Sequence, residues 1–414
     1  MEILPDKKRI EENLNHLKTI SENANADITR IGFTKEYRQG VEYIKKEMEK
    51  AGLAIREDSI GNIYGTIPGK KKDLPSIVSG SHLDTVRCAG AYDGIAGMIA
   101  ALEVARMIKE NNIELNHTYE VMGIIEEEGT RFSWAMLGSR FVSGALNKDN
   151  TRDVYDNNNQ RLEEVINEYL KSQDTCEAYR KDEEILAFLE LHIEQGPVLE
   201  SRKIDIGIVE NIVSIAWISV EVNGFSGHSG TVPMSLRQNA GIGAFSLIVK
   251  IQEYVMDNFK DALTFTVGKL ELLPGSTNSI PAKCSFTMDI RSGEPGNVKA
   301  VIDYAKGLVK PIEEENNVQI NLHINSMQEP VKMDNCLREL IKESAKELGL
   351  SHMSMNSGAG HDAMIFASRW KSAMIFVPCH KGITHNPAET LDMEDLRKGI
   401  DVLYNTILKL DKEL

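Results

Sequence analysis

Apolar positions in the first two hundred residues alternate between helical spacing and short unbroken runs, the pattern of an α/β layer architecture. The segment "EYRQGVEYIKKEMEKAG" (36–52) repeats apolar residues at helical intervals and stops at Gly52. "NIYGTIPG" and "PSIVSGSHLDTV" predict strands, "GIAGMIAALEVARMIKEN" a helix, and "HTYEVMGIIEEEGTRF" a strand that runs into a charged loop. Polar residues therefore collect where strands end. In open α/β sheets that is where ligands bind.

From about Ile212 the pattern changes. "SIAWISVEVNG" predicts a strand, "SLRQNAGIGAFSLIVKIQEYV" a helix, "LTFTVGKLELL" and "KCSFTMDIR" strands, "NVKAVIDYAKGLVKPIEEEN" a helix and "VQINLHI" a strand. That order, βαββαβ, describes a ferredoxin-like split sandwich. After residue 330 the first pattern resumes with "CLRELIKESAKELG", "SAMIFVP" and "EDLRKGIDVLYNTILKL". The expected organisation is a discontinuous α/β domain, 1–211 and 330–414, interrupted by a smaller inserted domain, 212–329.

Length and composition agree with two cores: 414 residues exceed what one core usually organises, and 42% are hydrophobic. The net charge of −15 argues against a nucleic-acid partner or an anionic membrane surface. Five widely spaced cysteines (Cys88, Cys176, Cys284, Cys336, Cys379) form no CxxC pair, which fits a reducing compartment, with the cytoplasm as the expected location. The start, "MEILPDKKRIEENLNHL", reads as a charged amphipathic helix rather than an export signal, and no apolar stretch is long enough to predict a membrane span.

Ligand-type residues concentrate in four remote segments: His82, Asp84 and Asp93; Glu126, Glu127 and Glu128 in "EEEGTRF"; His192 and Glu194 in "LELHIEQGP"; and His385 in "GITHNPAE". Each alone has a plain structural explanation, such as a hydrogen-bonded strand-end histidine or a solvated acidic loop. Together, imidazole and carboxylate donors suit Zn, Mn, Co or Ni, and one carboxylate can bridge two such ions about 3.5–4 Å apart. His82 is two residues from Asp84, so on a strand both project to one face, one as ligand and the other holding its ring. Asp93 sits at a glycine-flanked helix entry, exposed as a candidate bridge.

The spacing His-x-Asp, then Asp-Gly at the next helix start, then Glu-Glu-Gly after the next strand resembles the M20 family of di-metal peptidases and amidohydrolases. "EEEGTRF", "LHIEQGPVLE", "GFSGHSGTVPM" and "GAGHDAM" resemble most the branch of N-carbamoyl-L-amino-acid hydrolases, allantoate amidohydrolases and β-ureidopropionases. The resemblance covers nearly the whole chain. It implies a metallopeptidase-like catalytic domain, a mixed sheet flanked by helices, with the inserted domain serving as lid and dimerisation domain of a homodimer. It implies two divalent metal ions per subunit, with His82 and His192 on one metal, Glu128 and His385 on the other, and Asp93 between them. Glu127 takes the family's general-base position, Asp84 fixes the ring of His82, and Glu126 falls outside the pair as a strand-end carboxylate. An imidazole at His192, where the peptidase members usually carry an acid, points to carbamoyl and ureido substrates.

For the inserted domain the resemblance implies that Arg291 clamps a substrate carboxylate, Asn278 assists, and His228 polarises the scissile carbonyl from the partner subunit. Gln195, Gly360 and His361 match substrate-side positions. By spacing alone Arg291 reads equally well as a surface ion-pair residue. The implied reaction is hydrolysis of a C–N bond in a small carboxylate substrate by activated water. Two divalent ions against the charges of Asp93 and Glu128 leave a net positive centre that favours an oxyanion, and such ions lower the pKa of water from 15.7 toward about 7. Because Arg291 and the metal ligands fall in different domains, lid closure is also expected.

Two rivals keep part of this picture: a di-metal aminopeptidase or N-acyl-amino-acid hydrolase, and a non-catalytic binding protein with the same fold. A serine hydrolase lacks its GxSxG elbow, and "GFSGHSG" has neither GxGxxG nor a P-loop. Cys88 reads as a small hydrophobe; His16, His117, His323 and His352 carry no role.

Overall fold

The computed structural model describes residues 4–22, 27–132, 134–147 and 149–413. The chain divides into two compact units, one formed by 1–210, 332–355 and 359–414, the other by 211–331 and 356–358. The α/β class expected from the pattern is observed.

The first unit is built on a ten-stranded mixed sheet. Four neighbouring strands run parallel: Lys371–Val377, Ile185–Ile193, Ser76–His82 and Tyr119–Ile124. Their residues are almost wholly buried, which explains why they read as unbroken apolar runs rather than alternating ones. Antiparallel strands Ile63–Ile67 and Ala54–Asp58 extend one side, and Ile206–Ile212 pairs antiparallel with Lys371–Val377 on the other. The helix Ile95–Glu110 is buried from Ile95 to Ile108 and packs on the sheet through Ile99, Leu102 and their neighbours. At Gly97 an added Cβ would lie 2.1 Å from the carbonyl oxygen of Leu191, so this helix rests directly on strand backbone. The pattern reading does not include strands Ala54–Asp58 and Ile206–Ile212. Among the described residues no helix is long and apolar enough to cross a membrane.

Glu120 in strand Tyr119–Ile124 makes a buried ion pair. It accepts two hydrogen bonds from Arg180 at 3.1 and 3.2 Å and one from Arg56 at 2.6 Å. Burial alone would raise its carboxyl, but the two guanidinium groups outweigh it and hold the pKa near 2, below the ordinary 4.5. A depressed folded-state value stabilises the protein above about pH 4.5, and that contribution is lost as the pH falls toward 2. Glu120→Gln is therefore expected to cost about 3 kcal/mol at neutral pH. Urea unfolding should show this deficit shrinking between pH 4.5 and 2; a deficit independent of pH would contradict the assignment.

The second unit has its own core, centred on Ile218, Val220, Leu247, Ile251, Phe286 and Val301. Its antiparallel sheet is ordered Leu270–Leu273, Lys283–Ser292, Ser214–Asn223, Gln319–Gln328, and the helices Ala240–Asn258 and Asn297–Asn316 pack against it. The run "LTFTVGKLELL" is two strands, not one. Leu263–Thr266 pairs with the end of Lys283–Ser292 and Leu270–Leu273 with its start. Residues 267–269 oppose only Thr287 and Met288, so an extra residue breaks the ladder there, as in a β-bulge.

Candidate active site

The ends of the four parallel strands carry the site. His82 closes strand Ser76–His82 and sits level with Ile124, so Glu126–Glu128 follow directly beside it. His192 is the penultimate residue of Ile185–Ile193, paired with Phe376. Asp93 precedes the helix Ile95–Glu110 across Gly94, whose φ of +68° suits glycine and where a Cβ would lie 2.3 Å from the ring of His82. His385 lies in the loop after Lys371–Val377. Three non-glycine residues here, Glu126, Gln195 and His385, have positive φ (55°, 56° and 52°), a backbone shape costing of order 1 kcal/mol each that holds side chains at a turn.

These groups converge on Asp93. Its Oδ1 lies 3.2 Å from Nε2 of His192 and 4.0 Å from Nε2 of His82, while its Oδ2 lies 3.1 Å from Nε2 of His385. Nε2 of His385 is also 3.4 Å from Glu128. Two donor groups result, His82–Asp93–His192 and Asp93–Glu128–His385, sharing Asp93. Glu127 stands beside them, its Oε2 3.9 Å from Nε2 of His82.

The donors fit divalent cations on two counts. First, Nδ1 of His82 hydrogen-bonds the carbonyl of Asp84 at 3.0 Å and Nδ1 of His192 that of Ile193 at 2.9 Å. Both bonds commit a proton to Nδ1 and turn Nε2 toward the shared carboxylate, where it can take either a second proton or a metal ion. Second, the pocket crowds negative charge that cations or protons must offset. Burial lowers His82, yet Asp84, Glu128 and Asp93 carry it up to about 9. Hydrogen bonds to Asp93 and Glu128 carry His385 up to about 10. Burial, with the nearby charges of Glu128 and Asp362, pushes Glu127 well above the usual carboxylate range. Imidazole and carboxylate donors in this number suit Zn, Mn, Co or Ni.

Asp84 differs from the expectation. The strand ends at His82, so Asp84 leaves the shared face, and its carboxylate lies 3.9 Å from Nδ1 of His82. The backbone carbonyl orients the ring instead. The carboxylate accepts from the amides of Glu127 and Glu128, both at 3.1 Å, and so holds the acidic pair in place. Gln195 also departs from the pattern reading: its amide donates to both oxygens of Asp93, at 3.1 and 2.9 Å. His361 is buried with its ring 4.5 Å from that of His192, and burial with the charge of His192 keeps it well below the ordinary histidine pKa. Gly360 leaves room for Met136, whose methyl would lie 2.7 Å from an added Cβ.

Glu126 is a buried structural acid. It accepts from the amides of Arg131 and Phe132 at 2.8 and 3.3 Å, and burial followed by the charge of Asp84 raises its pKa to about 8. Glu194, a ligand-type residue by its motif, instead caps the helix Val198–Arg202 through the amides of Val198 and Leu199, both at 2.8 Å.

Four contributors lie outside the expected set of site residues. Glu389 accepts from the amides of Tyr92 and Asp93 at 2.7 and 3.2 Å. Thr384 donates to Asp93 at 2.9 Å. Glu190 accepts from Ser81 and from the amide of Ala363, and forms a donor group with His192 and His361. Asp362 accepts from Ser139 at 2.6 Å, and burial followed by the charge of Glu190 raises its pKa to about 8. Signals existed for two of them: Glu190 is two residues from His192 on one strand face, and Glu389 is four from His385.

The inserted unit holds the other expected residues. The segments carrying His228 and Asn278 pair through their backbones: His228 bridges Ser279, and the amide of Ser229 donates to the carbonyl of Asn278 at 2.9 Å. Nδ1 of His228 accepts from the amide of Gly230 at 3.1 Å, so its exposed Nε2 carries the proton and is free to donate. Arg291 lies at the end of strand Lys283–Ser292.

The profile of the peptidase family M20/M25/M40 matches residues 78–409. The chain belongs to this family. Within it the chain is an amidohydrolase, an enzyme for C–N bonds other than peptide bonds. It is 36% identical over 406 residues to the N-carbamoyl-L-amino-acid amidohydrolase of Paenarthrobacter aurescens, covering 98% of both chains. It is 34% identical over 410 residues to the allantoate amidohydrolase of Escherichia coli (strain K12), again covering 98% of each. The crystal structure of an amidase of the hydantoinase/carbamoylase family from Burkholderia multivorans superposes with a TM-score of 0.93 at 29% identity, over 99% of this chain and 98% of that one.

Proposed function

We propose that this enzyme hydrolyses the carbamoyl or ureido C–N bond of a small carboxylate substrate, an N-carbamoyl-L-amino acid or allantoate. Water adds at the carbonyl carbon and its bond to one nitrogen breaks, leaving a carbamate; the carbamate then loses carbon dioxide as its remaining C–N bond breaks, so the products are an amino acid or ureido acid, ammonia and carbon dioxide. The observation that carries the reading is the pair of donor groups sharing Asp93 beside the buried Glu127. Two divalent ions held by His82, His192, Asp93, Glu128 and His385 supply the Lewis acidity that lowers the pKa of water and stabilises the oxyanion. Glu127 takes the proton of the attacking water and delivers it to the leaving nitrogen. Asp84 fixes where Glu127 starts, through the amide it binds. In the inserted unit, Arg291 and Asn278 hold the substrate carboxylate, and the partner subunit's His228 donates to the scissile carbonyl oxygen; Gln195, Gly360 and His361 take substrate-side positions in the first unit.

A panel of N-carbamoyl amino acids, allantoate, dipeptides and N-acyl amino acids, run with Zn, Mn, Co and Ni separately, tests this. Turnover confined to the first two classes is expected. A fully metallated protein active only on dipeptides or N-acyl amino acids would reject the substrate assignment.

Two copies pair through the inserted unit in this reading. On the helix Ala240–Asn258, Ile242, Phe245, Val249 and Met256 form one face, each between 43% and 55% exposed. A row of this kind is self-complementary across a two-fold axis. Strand Gln319–Gln328 is also an open edge of the unit's sheet. Phe245→Asp is expected to shift the sedimenting species from dimer to monomer; an unchanged dimer would place the interface elsewhere. Cytoplasmic residence is supported by five free cysteines, three of them exposed.

A further inference from the structure

Arg291 does not stand free. Its Nε and Nη2 donate to the two carboxylate oxygens of Asp289, both at 2.8 Å, and its Nη1 donates to the carbonyl of Gly358 at 2.8 Å. Asp289 and Arg291 are two apart on strand Lys283–Ser292 and share its half-exposed face, so the short acid meets the long base side-on. Asp289 is held in turn by its direct cross-strand neighbour. Trp217 pairs with Asp289 in the ladder and donates its indole N–H to Oδ2 at 3.0 Å.

A guanidinium has five N–H donors. Asp289 and Gly358 engage one on Nε, one on Nη2 and one on Nη1. One N–H on each terminal nitrogen remains, the number a carboxylate takes in a fork-to-fork contact. Asp289 also offsets the charge of Arg291, so a second anion is held by directed hydrogen bonds more than by net attraction.

We propose that Asp289 and Trp217 are positioning residues: they fix the rotation of the Arg291 guanidinium and thereby set the enzyme's preference for a carboxylate over an uncharged group at that end of the substrate. This rests on Arg291 being the carboxylate clamp of the proposed function. Two opposing effects are at stake when Asp289 is altered. Freeing the guanidinium weakens directed binding, whereas removing a negative charge strengthens attraction for the substrate. Asp289 and Arg291 are each about 30% exposed in their side chains, where solvent screens the charge effect, so the loss of orientation prevails.

The test uses the best carboxylate substrate of the panel and its carboxamide analogue. Asp289→Asn is expected to raise KM for the carboxylate about tenfold with kcat within about twofold. Trp217→Phe changes no charge and should raise KM about threefold in the same direction. Neither variant should weaken the carboxamide, so the preference for carboxylate falls in both; a merely structural role would weaken both substrates and lower the melting temperature. Arg291→Gln is the control. If Arg291→Gln leaves KM unchanged, the clamp itself is wrong; if it raises KM while Asp289→Asn leaves it unchanged or lower, the positioning role alone is overturned.

Discussion

Glu127→Gln is expected to lower turnover roughly 10²–10⁴-fold, the range over which a positioned acid–base group acts. The amide matches the carboxylate in shape but cannot accept the proton of an attacking water. Because His82, His192, Asp93, Glu128 and His385 are untouched, metal content by elemental analysis should equal that of the unaltered protein, and the backbone bond from residue 127 to Asp84 remains. Normal turnover in this variant would remove Glu127 as the base. A loss of metal alongside activity would instead make Glu127 a ligand, as its place in the His82–Glu127–Glu128 donor group also permits.

Asp93→Ala should be still more severe, since Asp93 is the residue common to both principal donor groups. It loses the contacts to His192 and His385 and the hydrogen bonds from Gln195 and Thr384 in one step. Dialysed protein is expected to retain neither ion and to show no measurable turnover. Of the two groups that share Asp93, His192→Ala and His385→Ala each disturb one, so their metal content should fall by about half. If Asp93→Ala kept both ions, the sharing of this carboxylate would be refuted.

Much of this site was legible because strand ends and helix entries announce themselves locally. The run ending at His82, the glycine before the helix Ile95–Glu110 and the acids after Ile124 each pair a secondary-structure boundary with a ligand-type side chain. What failed was information held between segments. Asp84 was read as if the strand continued, yet two residues past a strand end the alternation no longer holds, and its partners are amides more than forty residues away. Glu194 reads as ligand-type and Gln195 as substrate-side, yet a positive φ at Gln195 turns it toward Asp93 while Glu194 caps a short helix. Glu389 acts on backbone amides nearly three hundred residues distant, and no periodicity records that. The split of "LTFTVGKLELL" was hidden because a bulge leaves composition unchanged.

The position of strand Lys371–Val377 has a consequence for biosynthesis. It lies inside the sheet, parallel to Ile185–Ile193 and antiparallel to Ile206–Ile212, yet it is translated about 180 residues after the first of them. At ordinary ribosomal speed the nascent protein spends about 10–35 s with a hydrophobic strand lacking its neighbour. During that interval the gap can capture a foreign strand. Slow-codon stretches or chaperone depletion should therefore harm the yield of this enzyme more than its sheet size alone implies.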